Sequence, residues 1–167
     1  VKFQQLFKSA IHEPKKLAAF RLLPIGKVFR YVFVFVALFT LLSFIRYIGG
    51  DAVLFESTPE QMEHGKTIGG LIYPIAFLLQ LVISTSFIFI QISILGYIGL
   101  LLLKLMKRRG EYRHIWRTSA IAVTVPILLT IGLDFLPSLK TFSTVFTAVV
   151  HFAYIAAAAR YYPKMPQ

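Results

Sequence analysis

Between residues 68 and 103 the chain carries no charged side chain, and Ile, Leu, Phe and Val dominate the stretch. A soluble fold has little use for a run of that length. As one helix it would extend about 54 Å at about 1.5 Å per residue, against a bilayer core of about 30 Å. In lipid every backbone polar group must be satisfied from within, and a helix does this inside one segment. Three further stretches, 29–48, 115–135 and 142–161, approach the length of a bilayer crossing. The alternation in YVFVFVALF is strand-like, but the charge-free length between Arg30 and Arg46 favours a helix. The expectation is an all-α integral membrane protein with four transmembrane helices, about 29–48, 70–103, 115–135 and 142–161.

Charge decides how often the long stretch crosses. The net charge of +11 would suggest nucleic acid in a soluble protein. Here the cations lie between apolar runs, so the positive-inside rule explains them and a nucleic-acid partner is not expected. If residues 68–103 cross once, segments 2–30, 104–117 and 160–164 share a face. That face then holds 15 of the 18 Lys and Arg residues, leaving Arg46, Lys66 and Lys140 opposite. A second crossing would move the cluster at 104–117 outside and destroy the bias. The reading is one long helix, tilted or kinked at Pro74, with both termini cytoplasmic. The expectation is a multi-pass membrane protein, and the absence of Cys is compatible with the bacterial cytoplasmic membrane.

Residues 1–27 read as an amphipathic segment at the cytoplasmic interface, and residues 28–167 as the transmembrane bundle. Phe3, Leu6, Phe7, Ala10 and Ile11 recur at helical spacing, with Gln4, Gln5, Lys8, Ser9 and His12 opposite. Pro14 ends this helix or starts a second over 15–23, before Pro24 and Gly26. The accompanying cations suit a helix in the headgroups of an anionic leaflet, or one packed on the protein's own cytoplasmic face. A basic amphipathic stretch in this place, with no small-residue cleavage site after the first apolar run, does not resemble a cleavable signal. Residues 49–67 form a short outer loop, with a helix start at Thr58 and Pro59. Pro126 predicts a kink in the third span, and Trp116 an interfacial anchor.

Chemistry-bearing residues are few. Tyr73, Gln80, Ser84 and Gln91 recur near whole turns on one face of the second span. They line a path for a solute or a lipid headgroup, or they hydrogen-bond between helices. His151 lies midway along the fourth span, where an ionisable group is a functional candidate. It is either one arm of a proton relay with Asp134 or a neutral His bonded within the bundle. The differing depths of the two residues count against their contact. Gly96 and Gly99 allow close helix approach. Lys107, Arg108, Arg109, Arg113 and Arg117 set topology and are candidate contacts for anionic lipid. His12, His64 and His114 have no metal-ligand spacing, and there is no Cys. No metal, cofactor or catalytic residue is expected.

The string EYRHIWRTSAIAVTVPILL, following KLMKRR, resembles the C-terminal half of the DUF1189 family of bacterial membrane proteins. FKSAIHEPKKLAAFRLLPIGKVFRYVFVF is similar to that family's opening pattern. The resemblance implies a small multi-span protein of Gram-positive bacteria, related to the Yip1-type proteins, with no catalytic residues to carry over. The segment 49–67 is shorter than the family's usual counterpart. The expected function is that of a non-enzymatic accessory or scaffold protein. It would act through helix packing with a membrane partner, such as a transporter, or as a homo-oligomer. The alternative is a small transport or lipid-handling protein that uses the polar stripe of the second span. The bilayer and its anionic lipids are the remaining partners.

Overall fold

The computed structural model describes residues 2–49, 69–136 and 140–165. Within them lie α1 (Phe3–His12), α2 (Pro14–Ala19), a 3-10 turn (Phe20–Leu22), α3 (Ile25–Ile48), α4 (Gly69–Leu105), α5 (Tyr112–Ala122), α6 (Thr124–Leu133) and α7 (Lys140–Ala159). Among the described residues, four helical stretches are long and apolar enough to cross a membrane: Ile25–Ile48, Tyr73–Leu105, Tyr112–Leu133 and Phe142–Ala159. The fold is all-helical among the described residues, apart from one isolated bridge between Arg108 and Lys164. The Thr58 helix start and almost all of the 49–67 loop lie outside the described residues.

Prolines set the boundaries of the N-terminal elements. Pro14 occupies the first turn of α2, where its missing N–H costs nothing, so α1 ends at His12 and a new helix starts at once. The Pro24 carbonyl accepts from Lys27 and Val28, which opens α3 at Ile25. Gly26 lies in the first turn of α3, with open space where a side chain would be.

The long uncharged stretch is one helix, α4, and runs through Pro74 without a break. The third span does break. α5 stops at Ala122 and α6 starts at Thr124, with Val123 between them. Pro126 is the cause: it cannot donate to the Ala122 carbonyl four residues back, and its ring crowds that carbonyl. The interruption thus falls a turn before the proline.

The chain divides into two compact units, Val1–Phe35 with Phe89–Gln167, and Val36–Ile88. In the first, Leu17, Val28, Tyr31, Val32, Ile92, Leu103, Ile115, Ile121 and Ile155 are buried. α1 lies against α2, α5 and α6, and buries Leu6, Ser9 and Ala10 there. Phe3 and Phe7 stack on Phe35, with ring centroids 6.0 Å apart in each pair. Much of the apolar face of α1 is thus spent on the protein's own helices. In the second unit, Phe44 meets Phe77 edge-on at 5.1 Å, and Thr40 is fully buried.

Candidate functional site

The densest chemistry lies where α4 ends. Lys107 has φ of 51°, a left-handed conformation that a side chain strains. Arg108 N–H bonds the Leu103 carbonyl at 2.8 Å and Lys107 N–H the Lys104 carbonyl at 3.1 Å, the pattern of a Schellman stop. Glycine normally fills the position that Lys107 holds. The C-terminal tail lies across this turn. Arg109 N–H donates to the Pro163 carbonyl at 2.7 Å, and Met165 N–H to the Lys107 carbonyl at 3.0 Å. The Arg108 guanidinium donates to the Tyr162 carbonyl at 2.8 Å.

Tyr162 ties the tail to two further segments. Its hydroxyl shares a 2.7 Å hydrogen bond with Thr118, whose own proton goes to the His114 carbonyl. The Arg21 guanidinium sits 4.9 Å above the Tyr162 ring. Burial pushes the Tyr162 phenol up to about 12, against the opposing pull of the Thr118 bond and Arg21, so it stays a donor. Arg117 reaches back to the Arg21 carbonyl at 3.1 Å. The N-terminal segment, the turn after α4 and the C-terminal tail therefore meet at one place.

The five basic candidates do not share one role. Arg108 and Arg117 are turned onto backbone carbonyls. Arg113 pairs with Glu111 at 2.6 Å, and both are exposed. Lys107 and Arg109 are exposed.

His151 is fully buried. Its Nε2 lies 2.9 Å from the Ser119 carbonyl and 3.2 Å from the Ser119 hydroxyl. A carbonyl only accepts, so Nε2 carries the proton. Ser119 in turn donates to the Ile92 carbonyl at 3.1 Å. The chain of bonds links α7, α5 and α4 and then ends on backbone. Nδ1 is buried with no hydrogen-bond partner. The geometry is that of a helix clamp, and a proton relay would need a donor facing Nδ1.

On α4, Ser84 is buried and Gln80 half-buried, and their side chains meet at 3.5 Å, the outer limit of a hydrogen bond. Tyr73 is 46% exposed. These three lie in the second unit, whereas Gln91, half-buried, lies in the first. Gly99 does allow close approach: a Cβ there would fall 2.9 Å from Ile115 and 2.8 Å from Ile155. Gly96 faces the Trp116 backbone more loosely, at 3.5 Å. Trp116 itself donates to the Ser93 hydroxyl at 3.2 Å and lies 5.6 Å from the Phe29 ring.

Sequence reasoning missed the buried hydroxyl pairs. Tyr31 and Thr124 meet at 2.8 Å across 93 residues, and Thr118 pairs with Tyr162 across 44. The only trace in the sequence is the run of small hydroxyls at Thr118, Ser119 and Thr124 within an otherwise apolar span.

The model of the family described as protein of unknown function (DUF1189) matches residues 56–159, and the chain belongs to that family. The match takes in α4 to α7 and leaves residues 1–55 and 160–167 outside it. No curated protein and no solved structure matches the chain.

Proposed function

We propose that this protein is a non-enzymatic accessory or scaffold protein of the bacterial cytoplasmic membrane. It acts by helix packing with a membrane partner, either a transporter or a second copy of itself. The observation that carries the reading is the placement of Gln80 and Gln91. Both are only half-buried on a helix whose other exposed side chains include Ile75, Leu78, Val82, Phe87, Ile90 and Ile94. An amide facing lipid has no water to bond, so it gains by meeting a polar group on a neighbouring helix. The basic end, with Lys107 and Arg109 exposed, then faces the cytoplasm and the anionic leaflet.

The other reading, transport or lipid handling, requires Gln80, Ser84, Gln91 and His151 to line one path. The clamp that His151 makes with Ser119 and Ile92 supports that arrangement less well.

The test is gentle extraction followed by native mass spectrometry. A stoichiometric protein partner or a homo-oligomer is expected. Gln80→Leu and Gln91→Leu should each weaken the association about three- to twentyfold, the range of interhelical hydrogen bonds in membranes. A wild-type protein that emerges as a monomer with no partner defeats the proposal.

A further inference from the structure

At the basic end, α2 and the end of the last span enclose an open pocket of about 500 Å³. Its lining includes Glu13, Lys15, Lys16, Arg21 and Tyr161, with Ala18 and Ala19. We infer that this pocket is a binding site for a phosphate-bearing anion.

Five observations carry the inference. The lining sets three cations against one carboxylate, and Glu13 is already engaged by Lys16 at 2.7 Å. That leaves the charge of Lys15 and Arg21 to be met by a ligand. Arg21 is held in advance, its guanidinium over the Tyr162 ring and its carbonyl bonded by Arg117. A planar guanidinium so fixed loses little freedom when it binds phosphate oxygens. The two alanines add nothing longer than a methyl group to the lining. The volume lies within the range of small-ligand pockets, about 300–1,000 Å³. Tyr161 closes the helix that ends at Ala159, which places the pocket at headgroup level if that helix spans the bilayer. The phosphate can therefore come from an anionic phospholipid or from a soluble phosphomonoester. The site is separate from the α4 face on which the accessory role rests, so either proposal can fail alone.

The test uses the intact protein in neutral detergent and native mass spectrometry. It is titrated in parallel with phosphatidylglycerol, phosphatidylcholine and glycerol phosphate. Phosphatidylglycerol should bind about 25-fold more tightly than phosphatidylcholine, as expected for two cations each contributing about fivefold. Lys15→Gln and Arg21→Gln should each cut that preference about fivefold, and Lys27→Gln, with the same charge change on exposed α3, should not. Lys15 is exposed, so its variant folds whatever becomes of Arg21→Gln. Glycerol phosphate that binds with the same dependence on Lys15 and displaces the lipid establishes a site open to soluble phosphates. Lipid binding alone establishes a headgroup site. Equal affinity for the two lipids together with no Lys15-dependent binding of glycerol phosphate, or an equal loss in Lys27→Gln, overturns the inference.

Discussion

Lys107 shows how one residue can be strained by its place in the fold. Its left-handed backbone is demanded by the stop of α4, whose two terminal hydrogen bonds require that turn whatever the side chain. Lys107→Gly should therefore stabilise the protein by about 1 kcal/mol, read as a higher midpoint of thermal unfolding in detergent. Lys107→Ala removes the same charge but keeps the strain, and should show no such gain. If both variants gain equally, charge repulsion in the cluster is the cause and the backbone argument fails. His151 is the second case. Its partner carbonyl, Ser119, already accepts from Val123 N–H at 3.0 Å, and the Ser119 hydroxyl donates elsewhere. Replacing His151 with Leu leaves no donor stranded and removes an acceptor, Nδ1, that has no partner. The expected cost of His151→Leu is below about 1 kcal/mol, since exchanging a buried polar contact for apolar shape is nearly neutral. A larger loss would mean that Nδ1 is served by something the clamp geometry does not include.

At the scale of elements, two glycines three residues apart on α4 make opposite predictions. An added methyl at Gly99 would press on Ile115 Cγ1 and Ile155 Cγ2 below 3.0 Å, so α5 or α7 must move. Gly99→Ala should cost about 1–3 kcal/mol of stability, the range for overpacking. At Gly96 the nearest atom is 3.5 Å away, which is ordinary contact. Gly96→Ala should then be neutral or stabilise by up to about 1 kcal/mol through helix propensity. Thermal unfolding of the two variants, side by side, checks both. These elements also mark where sequence reading works. The length of α4 follows from the absence of charge over residues 68–103, because no side chain there stops an apolar helix. Pro126 announced a disturbance, although only the geometry of the i−4 carbonyl places the break at Val123. The strap of the C-terminal tail over residues 107–109 was not legible, because backbone bonds carry it and backbone has no sequence signature. Nor were Tyr31–Thr124 and Thr118–Tyr162, since a hydroxyl inside an apolar helix bonds its own turn equally well. The polar stripe of α4 was legible as a face, but periodicity does not say whether a face meets protein or lipid.

For the molecule as a whole, the contacts of the first unit constrain the path through a membrane. Arg117 touches the Arg21 carbonyl, and Arg108 that of Tyr162, each at about hydrogen-bond distance. Groups so close cannot lie on opposite sides of a hydrocarbon core about 30 Å thick. Whichever way the protein is inserted, the N-terminal segment, the turn after α4 and the C-terminal tail belong to one side. On the proposed topology, that side is the cytoplasm, as the charge bias suggests. Because the sequence contains no Cys, an introduced one is the sole thiol and its labelling is unambiguous. Lys8→Cys, Arg109→Cys and Lys164→Cys, all at exposed positions, should resist a membrane-impermeant maleimide in intact cells and react after lysis. Leu136→Cys, exposed beyond the end of α6, should react in intact cells. Reversal of all four would keep the contacts and reject the cytoplasmic assignment. Labelling of Arg109→Cys from outside with Lys8→Cys protected would break the link between the two segments. It would mean that the uncharged stretch crosses twice, against both the charge bias and the continuous helix of α4.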